Sequence, residues 1–476
     1  MIKGLKLMPF QERGADLLEA SHRALLIWDA GVGKTPTAVR GAVQAKAKKI
    51  LVYCPPIAVG VWRQHFQDWS DIPDIRVLGA ANCSRTMSFM AGDGVRIVPY
   101  SRARLGSSAI TAALRYPPDL VILDEIHYLK SSRALRTKGV YGERLDLART
   151  PLKACPRVWG LSGTPILNHA AEYWTHLHAL RPDTIILPQL GVMDENTFVE
   201  RFCVTQTSGS MRYGKRIVGS KNLTELSERV RPLVDRLKLK DALPDLPDLR
   251  IVDHPLPADT NLDPKLSFEL GQALEKFSHE VGHMDDDELL SEVQAGGVAF
   301  STARRLIGRA KCEGVAQMVT DMLDDAPDDK VILFAHHREV IEDLDNRLLR
   351  FRPLIIHGGV GRMLREARIA NFQTDPDRRL IIVAIDSAGE AITLNAARQV
   401  VLAEPSPVPA KNLQAIARAH RNGQRNNVIA RFVLLPGTLD ARLMSIVARK
   451  TRDIMQLVDG VPAAKAPVRE TFPDMV

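Results

Sequence analysis

The sequence contains few cysteines and no long apolar run. Its five cysteines are scattered over 476 residues, and no two of them form a Cys-x-x-Cys pair. An odd, dispersed set argues against a disulfide framework or a cysteine zinc site and favours reduced thiols in the cytosol. No stretch approaches the roughly 20 apolar residues of a transmembrane helix, and the first residues lack the apolar core of a secretory signal. We therefore expect no membrane association.

Composition and charge indicate a globular protein with an anionic partner. Hydrophobic residues make up 45% of the chain and charged residues 25%, which argues against disorder. The formal net charge is +8, and ten basic residues stand against three acidic ones between Arg201 and Lys240. This surplus favours a polyanionic partner, with Lys215 and Arg216 as candidate contacts. A solvated helix face is the alternative explanation.

Two series of short apolar runs predict the fold class. Continuous apolar strands that alternate with helical patterns are typical of parallel sheets covered on both faces. We therefore predict an α/β protein with two parallel-sheet lobes. The first series is Ala24–Trp28, Ile50–Cys54, Val95–Val98, Leu120–Leu123 and Val158–Leu161, and the second is Val331–Ala335, Leu354–Ile356, Leu380–Ile385, Val400–Ala403 and Phe432–Leu435.

Between the two series, from about Ile166 to Leu323, the segments are longer, charged and mostly helical in period, and a proline-rich joint at Leu243–Asp248 interrupts them. We expect helical protrusions and a linker there. The predicted division is an ATP-binding lobe at 1–180, protrusions and linker at 181–300, a second lobe at 301–460, and a flexible tail at 461–476.

A glycine-rich turn follows the first apolar run. In a strand–loop–helix context, glycines let backbone N–H groups wrap phosphates, and the next helix presents its positive end. Lys34 is expected to reach the β- and γ-phosphates of ATP, and Thr35 to ligate Mg²⁺. Trp28 occupies the place of the first glycine of the strict pattern. The predicted ATP-binding turn is Gly31, Val32, Gly33, Lys34 and Thr35.

Acidic residues end the fourth apolar run. We predict that Asp124 holds Mg²⁺ through water and that Glu125 orients and deprotonates the attacking water. His127 is placed to sense the γ-phosphate or the other lobe. The alternative is a solvated Asp-Glu pair at a strand end that has no catalytic role. The position of Asp124 and Glu125 after a phosphate loop favours catalysis.

Near the other end of the chain, Gln414, Arg418 and Arg421 repeat at about one helical turn. We predict that all three project from one helix face. The arginines then stabilise the charge that develops on the γ-phosphate, which implies a site divided between two domains. A plain surface helix is the alternative.

Histidines at 169, 176 and 178 lie near Glu172, and His336 and His337 are adjacent. No cysteine or second acid completes a metal site in the first group. We interpret the first group as structural and the second as a strand-end feature.

The order of these motifs resembles that of Swi/Snf-type superfamily-two helicases over roughly residues 7 to 440. The matching motifs are Pro9-Phe-Gln11, Val52-Tyr-Cys-Pro55 through Trp62 and Trp69, Asp124-Glu-Ile-His127, Leu161-Ser-Gly-Thr-Pro165-Ile-Leu-Asn168, Ser387-Ala-Gly-Glu-Ala-Ile-Thr393-Leu, and Gln414 to Gln424. Arg201-Phe-Cys203, Gly219-Ser-Lys-Asn222-Leu and Lys330 to His337 are similar to the annealing-helicase and fork-remodelling branch.

This resemblance implies two RecA-like lobes that track along duplex DNA. It implies that Gln11 reads adenine, that Arg418 and Arg421 are an arginine-finger pair, and that Ser162, Thr164 and Thr393 link ATP to DNA. The chain departs from the family pattern at Trp28 and Asp29 before the loop, at Ala391, at Lys238-Leu-Lys240, and after Glu404, where the usual tryptophan is missing.

We therefore expect a monomeric, DNA-stimulated ATPase that uses ATP and Mg²⁺ to remodel or reanneal duplex or branched DNA. Without a recognisable chromatin reader or nuclease domain, it fits the cytoplasm of a bacterial or phage-infected cell. A conventional strand-separating DNA or RNA helicase is the main alternative. An ATP-gated binding module is a third hypothesis, although a binder has no need of the water-activating Glu125.

Overall fold

The computed structural model of the chain divides into two compact units, the first ending at Pro244 and the second starting at Asp245. This division lies inside the segment 181–300 that the sequence predicts as protrusions and linker. The predicted tail at 461–476 lies outside the described residues. The structure describes residues 6–79, 86–104, 106–145, 150–163, 169–188, 191–207, 215–257, 264–281, 289, 298–389, 392–438 and 440–447.

A seven-stranded parallel sheet forms the first unit. Its strand order is β11-β1-β6-β5-β2-β4-β3. Each of the five apolar runs predicted for this lobe is a strand of the sheet. The strands are β1 (Arg23–Trp28), β2 (Lys49–Cys54), β3 (Ile75–Val77), β4 (Gly94–Pro99), β5 (Leu120–Asp124), β6 (Arg157–Ser162) and β11 (Val234–Leu237).

Within the described residues of this unit, ten α-helices accompany the sheet. Their bounds are α1 (Pro9–Ala20), α2 (Lys34–Gln44), α3 (Val59–Trp69), α4 (Thr86–Met90), α5 (Ser108–Arg115), α6 (Leu135–Tyr141), α7 (Ala171–Leu180), α8 (Glu195–Phe202), α9 (Leu223–Val230) and α10 (Leu239–Ala242).

The sequence predicts helical protrusions after α7, but the segment that follows α7 is not purely helical. It also contains two antiparallel pairs, β7 (Ile186–Leu187) with β8 (Gly191–Val192), and β9 (Cys203–Thr207) with β10 (Lys215–Ser220). It then returns to the main sheet, where β11 pairs in parallel with β1. The four-residue apolar signal of β11 includes two charged residues, so it was too weak to be recognised as a strand.

The second unit contains a six-stranded parallel sheet with the order β12-β17-β16-β13-β15-β14. All five apolar runs predicted for this lobe are strands. The strands are β12 (Leu249–Pro255), β13 (Val331–Ala335), β14 (Leu354–Ile356), β15 (Leu380–Ala384), β16 (Gln399–Leu402) and β17 (Val428–Leu434), and the helices are α11 (Pro264–Val281), α12 (Val298–Asp325), α13 (Arg338–Arg347), α14 (Arg362–Thr374) and α15 (Pro409–Ile416).

Both sheets are covered on their two faces, which confirms the predicted α/β class. Successive side chains of a strand point to opposite faces. In β1, Leu26 and Trp28 pack in one hydrophobic cluster, whereas Leu25 and Ile27 pack in another. Strand β13 divides in the same way between two clusters of the second unit. This double burial explains why the strands are continuously apolar.

Among the described residues, every helix is too short or too polar to cross a bilayer.

Candidate functional site

Three adjacent strands bring the predicted motifs of the first unit to one sheet edge. Strand β6 lies between β1 and β5, with Ile27 paired to Ser162 and Asp124 paired to Leu161. Because the strands are parallel, the segments that follow them emerge side by side. The glycine-rich turn, the acidic pair and Ser162 therefore meet at the carboxyl edge of this sheet, where α/β proteins bind ligands.

The glycine-rich turn has the backbone that phosphate binding requires. Gly31 and Gly33 both have a φ of 87°, a conformation that favours glycine. Gly33 caps α2, so the backbone N–H groups at the start of this helix point into the turn. A Cβ at Gly33 would meet the amide end of the Gln11 side chain, and the left-handed backbone there would strain any other residue. The turn is thus built to accept an anion.

Lys34 is held beside this turn by neutral oxygens. Its Nζ donates to the carbonyl oxygens of Trp28 at 2.8 Å and Asp29 at 3.1 Å. A Cβ built on Gly163, which follows β6, would lie 3.7 Å from the same Nζ. The ammonium group is thus bordered by two of the three segments that emerge at this edge.

Gln11 contacts the turn through its side chain. Its Nε2 donates to the carbonyl oxygen of Val32 at 2.9 Å, and its Oε1 accepts from the backbone N–H of Met8 at 2.9 Å. Both ends of the amide therefore bond within the protein and connect α1 to the turn. The adenine-reading role implied by the family resemblance stays a prediction.

Asp124 is a buried carboxylate at the end of β5. It is 8% exposed and accepts a hydrogen bond from Nε1 of Trp62 at 2.7 Å. Burial, and then the neighbouring charge of Glu125, raises the pKa of Asp124 to about 7, and the Lys34 charge works in the opposite direction. A cation placed against this buried carboxylate would stabilise its ionised form.

Glu125 lies in a polar triangle with His127 and Ser162. Its Oε2 accepts from Oγ of Ser162 at 3.3 Å and lies 3.3 Å from Nδ1 of His127. The same Nδ1 is 3.2 Å from Oγ of Ser162. Glu125 has a φ of 47°, which is unusual for a non-glycine residue and is typical of functional positions. The structure thus brings Ser162 of one motif against Glu125 and His127 of another.

The residues at this edge fit a magnesium-bound nucleotide. The donor set is a hydroxyl from Thr35 and a carboxylate from Asp124, and hard oxygen donors are those that Mg²⁺ prefers. Asp124, whose pKa is raised by burial, would be kept ionised by such a cation. When bound, Mg²⁺ would neutralise charge on the phosphates.

In the second unit, the predicted helix of the glutamine–arginine motif is shorter than expected. Gln414 lies in α15, which ends at Ile416. Arg418 and Arg421 lie in the tighter turns that follow, so the prediction of one continuous helix face was wrong. Leu394 donates its N–H to the carbonyl of Arg418 at 2.9 Å, and this bond to another segment accompanies the change of backbone. Both arginines are half-buried.

Gln424 organises this region and has a role that the sequence analysis missed. It is 7% exposed, and its Nε2 donates to the carbonyls of Asn395, Ala397 and Ala419. Its Oε1 accepts two backbone N–H groups, from Arg425 and Asn426. It thereby fixes the turns that contain Arg418 and Arg421 beside the segment that contains Thr393. Its position at the end of the quoted motif was the available signal.

Glu404 is a second residue whose role was missed. Its Oε2 accepts from the backbone N–H groups of His336 at 2.7 Å and His337 at 2.8 Å, and its Oε1 lies 2.6 Å from Nδ1 of His337. His336 in turn contacts Asp386 at 3.2 Å. The adjacent histidines therefore close the ends of β13, β15 and β16, consistent with the strand-end interpretation.

The remaining predicted residues are described only in part. Thr164 lies outside the described residues, and of Lys215 and Arg216 the structure describes the backbone in β10. In the other histidine group, Glu172 pairs with Lys130 at 2.7 Å, and Nδ1 of His176 lies 3.1 Å from the hydroxyl of Tyr141.

Comparison with known families agrees with this architecture. Residues 5–241 match the SNF2-related domain, and residues 314–423 match the helicase conserved C-terminal domain. The chain therefore carries the two domains of a Swi/Snf-type helicase-like protein, as its motifs predict.

Particular relatives narrow the likeness. The mouse DNA annealing helicase and endonuclease ZRANB3 is 27% identical over 464 residues, which cover 94% of this chain and 40% of the relative. A second relative is the Caenorhabditis elegans homolog of SWI/SNF-related matrix-associated actin-dependent regulator of chromatin subfamily A-like protein 1. It is 28% identical over 462 residues, which cover 94% of this chain and 61% of the relative. The chain thus spans only part of these relatives.

A solved structure also matches. The Sulfolobus solfataricus SWI2/SNF2 ATPase core in complex with dsDNA aligns over 97% of this chain and 94% of its own, with 18% identity and a TM-score of 0.44.

Proposed function

We propose that this protein is a DNA-stimulated ATPase that translocates on duplex or branched DNA and remodels or reanneals it. The observation that carries the proposal is the meeting of the glycine-rich turn, Asp124, Glu125 and Ser162 at one sheet edge. A module that merely binds ATP needs the turn and a magnesium ligand, but it does not need a carboxylate placed to activate water.

The chemistry assigned to each group follows from its position. The backbone N–H groups of the turn and Lys34 hold the phosphates, and Asp124 and Thr35 hold Mg²⁺. Glu125 orients the attacking water and accepts its proton. Arg418 and Arg421 supply the positive charge that stabilises the transferring phosphoryl group.

The triangle of Glu125, His127 and Ser162 supports a link between hydrolysis and DNA. Ser162 ends β6, and the segment that follows it is the one that the family resemblance connects with DNA. A displacement of this segment would change the hydrogen bond from Ser162 to the carboxylate of Glu125. Bound DNA can thereby alter the orientation of the Glu125 carboxylate, which is the proposed general base.

The DNA substrate is proposed from charge and from the relatives. The surplus of ten basic over three acidic residues at 201–240 and the net charge of +8 suit a phosphate backbone. ZRANB3 is by name an annealing helicase, which favours remodelling and reannealing over strand separation. A conventional strand-separating DNA or RNA helicase is the second candidate.

The proposed conditions of action are Mg²⁺ as the cofactor, a monomer as the working unit, and the cytoplasm of a bacterial or phage-infected cell as the location. Sedimentation with and without duplex DNA tests the monomer directly.

Steady-state ATP hydrolysis tests the proposal. It is measured without nucleic acid and with single-stranded DNA, duplex DNA, forked DNA or RNA, with Glu125→Gln as the inactive control. We expect strong stimulation by duplex or forked DNA. Stimulation by single strands or RNA alone would favour the strand-separating helicase, and no stimulation by any of them would contradict the motor.

A further inference from the structure

Trp28 fills a slot where the strict phosphate-loop pattern has glycine. The indole is 1% exposed and packs edge to face against Phe10, with ring centroids 6.0 Å apart. A Cβ at Gly14 of α1 would lie 2.3 Å from Cη2 of this ring. At its polar end, Nε1 donates to Oδ2 of Asp235 at 2.6 Å. The ring is therefore held on its apolar and polar sides.

Strand β11, which contains Asp235, is the neighbour of β1 at the start of the turn. The pairing of β1 with β6 runs as far as Ile27, whereas the pairing with β11 continues to Trp28 and Leu237. The backbone N–H of Asp29 then donates to the carbonyl of Leu237 at 3.0 Å. The first residues of the turn therefore take their position from β11.

Asp29 makes a second connection to the same segment. Its Oδ1 pairs with Nη1 of Arg236 at 2.6 Å, and its Oδ2 accepts the backbone N–H of Leu239 at 2.8 Å. Two consecutive side chains, at positions 28 and 29, are thus bonded to residues 235–239.

These two residues also hold the lysine. Nζ of Lys34 donates to the carbonyl oxygens of Trp28 and Asp29. A shift of either peptide group moves the ammonium group. The chain of contacts runs from Asp235 through Trp28 to Lys34.

We propose that Trp28 and Asp235 form a positioning pair that sets the phosphate-binding turn and Lys34 for the nucleotide. This inference rests on the proposed ATPase function, since it assigns nucleotide binding to the same turn.

Equilibrium binding of ATP and ADP to the full chain tests the pair. Trp28→Phe keeps the ring but removes the donor, and Asp235→Ala removes the acceptor, whereas Asp235→Asn keeps an acceptor oxygen. Trp159→Phe is the matched control, because Trp159 is also buried and donates one indole hydrogen bond, to the carbonyl of Ser21 at 3.3 Å. Thermal unfolding of each variant monitors the fold.

We expect Trp28→Phe and Asp235→Ala each to weaken nucleotide binding by roughly five- to tenfold, as loss of a hydrogen bond to a charged group allows. The double variant should be no weaker than either single one, because both remove the same bond. The nucleotide affinities of Asp235→Asn and Trp159→Phe should remain near that of the wild type.

Equal affinities in Trp28→Phe and Trp159→Phe, or additive losses in the double variant, would overturn the pair. Wild-type hydrolysis is measured separately. A wild-type protein that binds nucleotide but does not hydrolyse it would contradict the proposed function, while the binding comparison would still decide the pair.

Discussion

Lys34 and Asp124 of the first unit make different contacts from the charged side chains at the strand ends of the second unit, although Asp29 of the first unit also pairs with Arg236 at 2.6 Å. In the first unit, Lys34 is bonded to two carbonyl oxygens and Asp124 to an indole N–H. In the second unit, charges pair with opposite charges: Asp386 with Lys411 at 2.5 Å, and Lys311 with Asp440 at 2.6 Å. A hydrogen bond to a neutral group does not offset the charge of the side chain that makes it, whereas an ion pair partly does.

The difference suggests separate roles for the two units. In the proposed function, the first unit provides the groups that bind phosphate and activate water. In the second unit, Arg418 and Arg421 are the candidate contribution to hydrolysis. Binding of ATP should therefore depend on the first unit, and its turnover on both.

The sharpest test of this comparison is Arg418→Ala or Arg421→Ala. We expect ATP affinity close to wild type and hydrolysis in the presence of duplex DNA reduced by about 10³-fold or more, since a transition-state arginine contributes that much. Arg425→Ala is the matched control, because Arg425 is exposed in the same region. Unchanged hydrolysis in the two arginine variants would exclude these residues from the reaction.

Glu125→Gln should separate binding from chemistry within the first unit. Because the amide cannot accept the proton of water, we expect turnover to fall by roughly 10²- to 10⁴-fold. Binding of ATP and of duplex DNA should persist, and both are measured at equilibrium beside the rate. If DNA binding is lost together with hydrolysis, the role assigned to Glu125 is wrong.

Trp62→Phe tests the neutral partner of Asp124. Removing the indole N–H leaves the buried carboxylate without that hydrogen bond, and loss of a partner behind a metal ligand typically costs at least about tenfold in metal affinity. We expect a correspondingly higher Mg²⁺ concentration for half-maximal hydrolysis. Trp159→Phe is again the control, and identical Mg²⁺ dependence in the two variants would count against this role of Trp62.

Glu404→Gln should have the smallest effect on hydrolysis and a measurable effect on stability. Burial opposes its ionisation, but hydrogen bonds from His337 and two backbone amides lower the pKa of Glu404 below the ordinary 4.5. The folded state therefore binds fewer protons near that pH, and the stabilisation is present above it and lost as the pH falls.

We expect the variant to lose about 2 kcal/mol of unfolding free energy at pH 7. The difference in unfolding free energy between wild type and variant should become smaller as the pH falls below 4.5. Denaturant unfolding across this pH range measures both effects. Glu275→Gln, an exposed change on α11, is the control. A gap that stays constant with pH would show that the carboxylate charge is not involved.

The predictability of the fold followed from the strength of the local signal. Val331–Ala335 and Leu120–Leu123 are buried on both sides, so their apolar continuity marks them as strands. Strand β11 was missed because Asp235 and Arg236 interrupt it, and its place beside β1 comes from a pairing across more than 200 residues. Local patterns contain no information about such a partner.

The candidate site divides in the same way. The glycines, Lys34 and Glu125 were predicted because their chemistry requires particular residue types at particular spacings. The roles of Gln424 and Glu404 were missed, since a buried polar residue is recognised only when its hydrogen-bond partners are known. The prediction of one helix face for Gln414, Arg418 and Arg421 failed because α15 ends at Ile416.

The order and spacing of the motifs were sufficient to identify the class of this protein and to predict the residues proposed to bind and hydrolyse ATP, because phosphate chemistry constrains those residue types directly. Tertiary structure decided which residues hold them: Trp62 behind Asp124, Ser162 beside Glu125, and Asp235 behind Trp28. These contacts join residues that are 37 to 207 positions apart. They exist only because parallel strands place distant segments at one edge of a sheet.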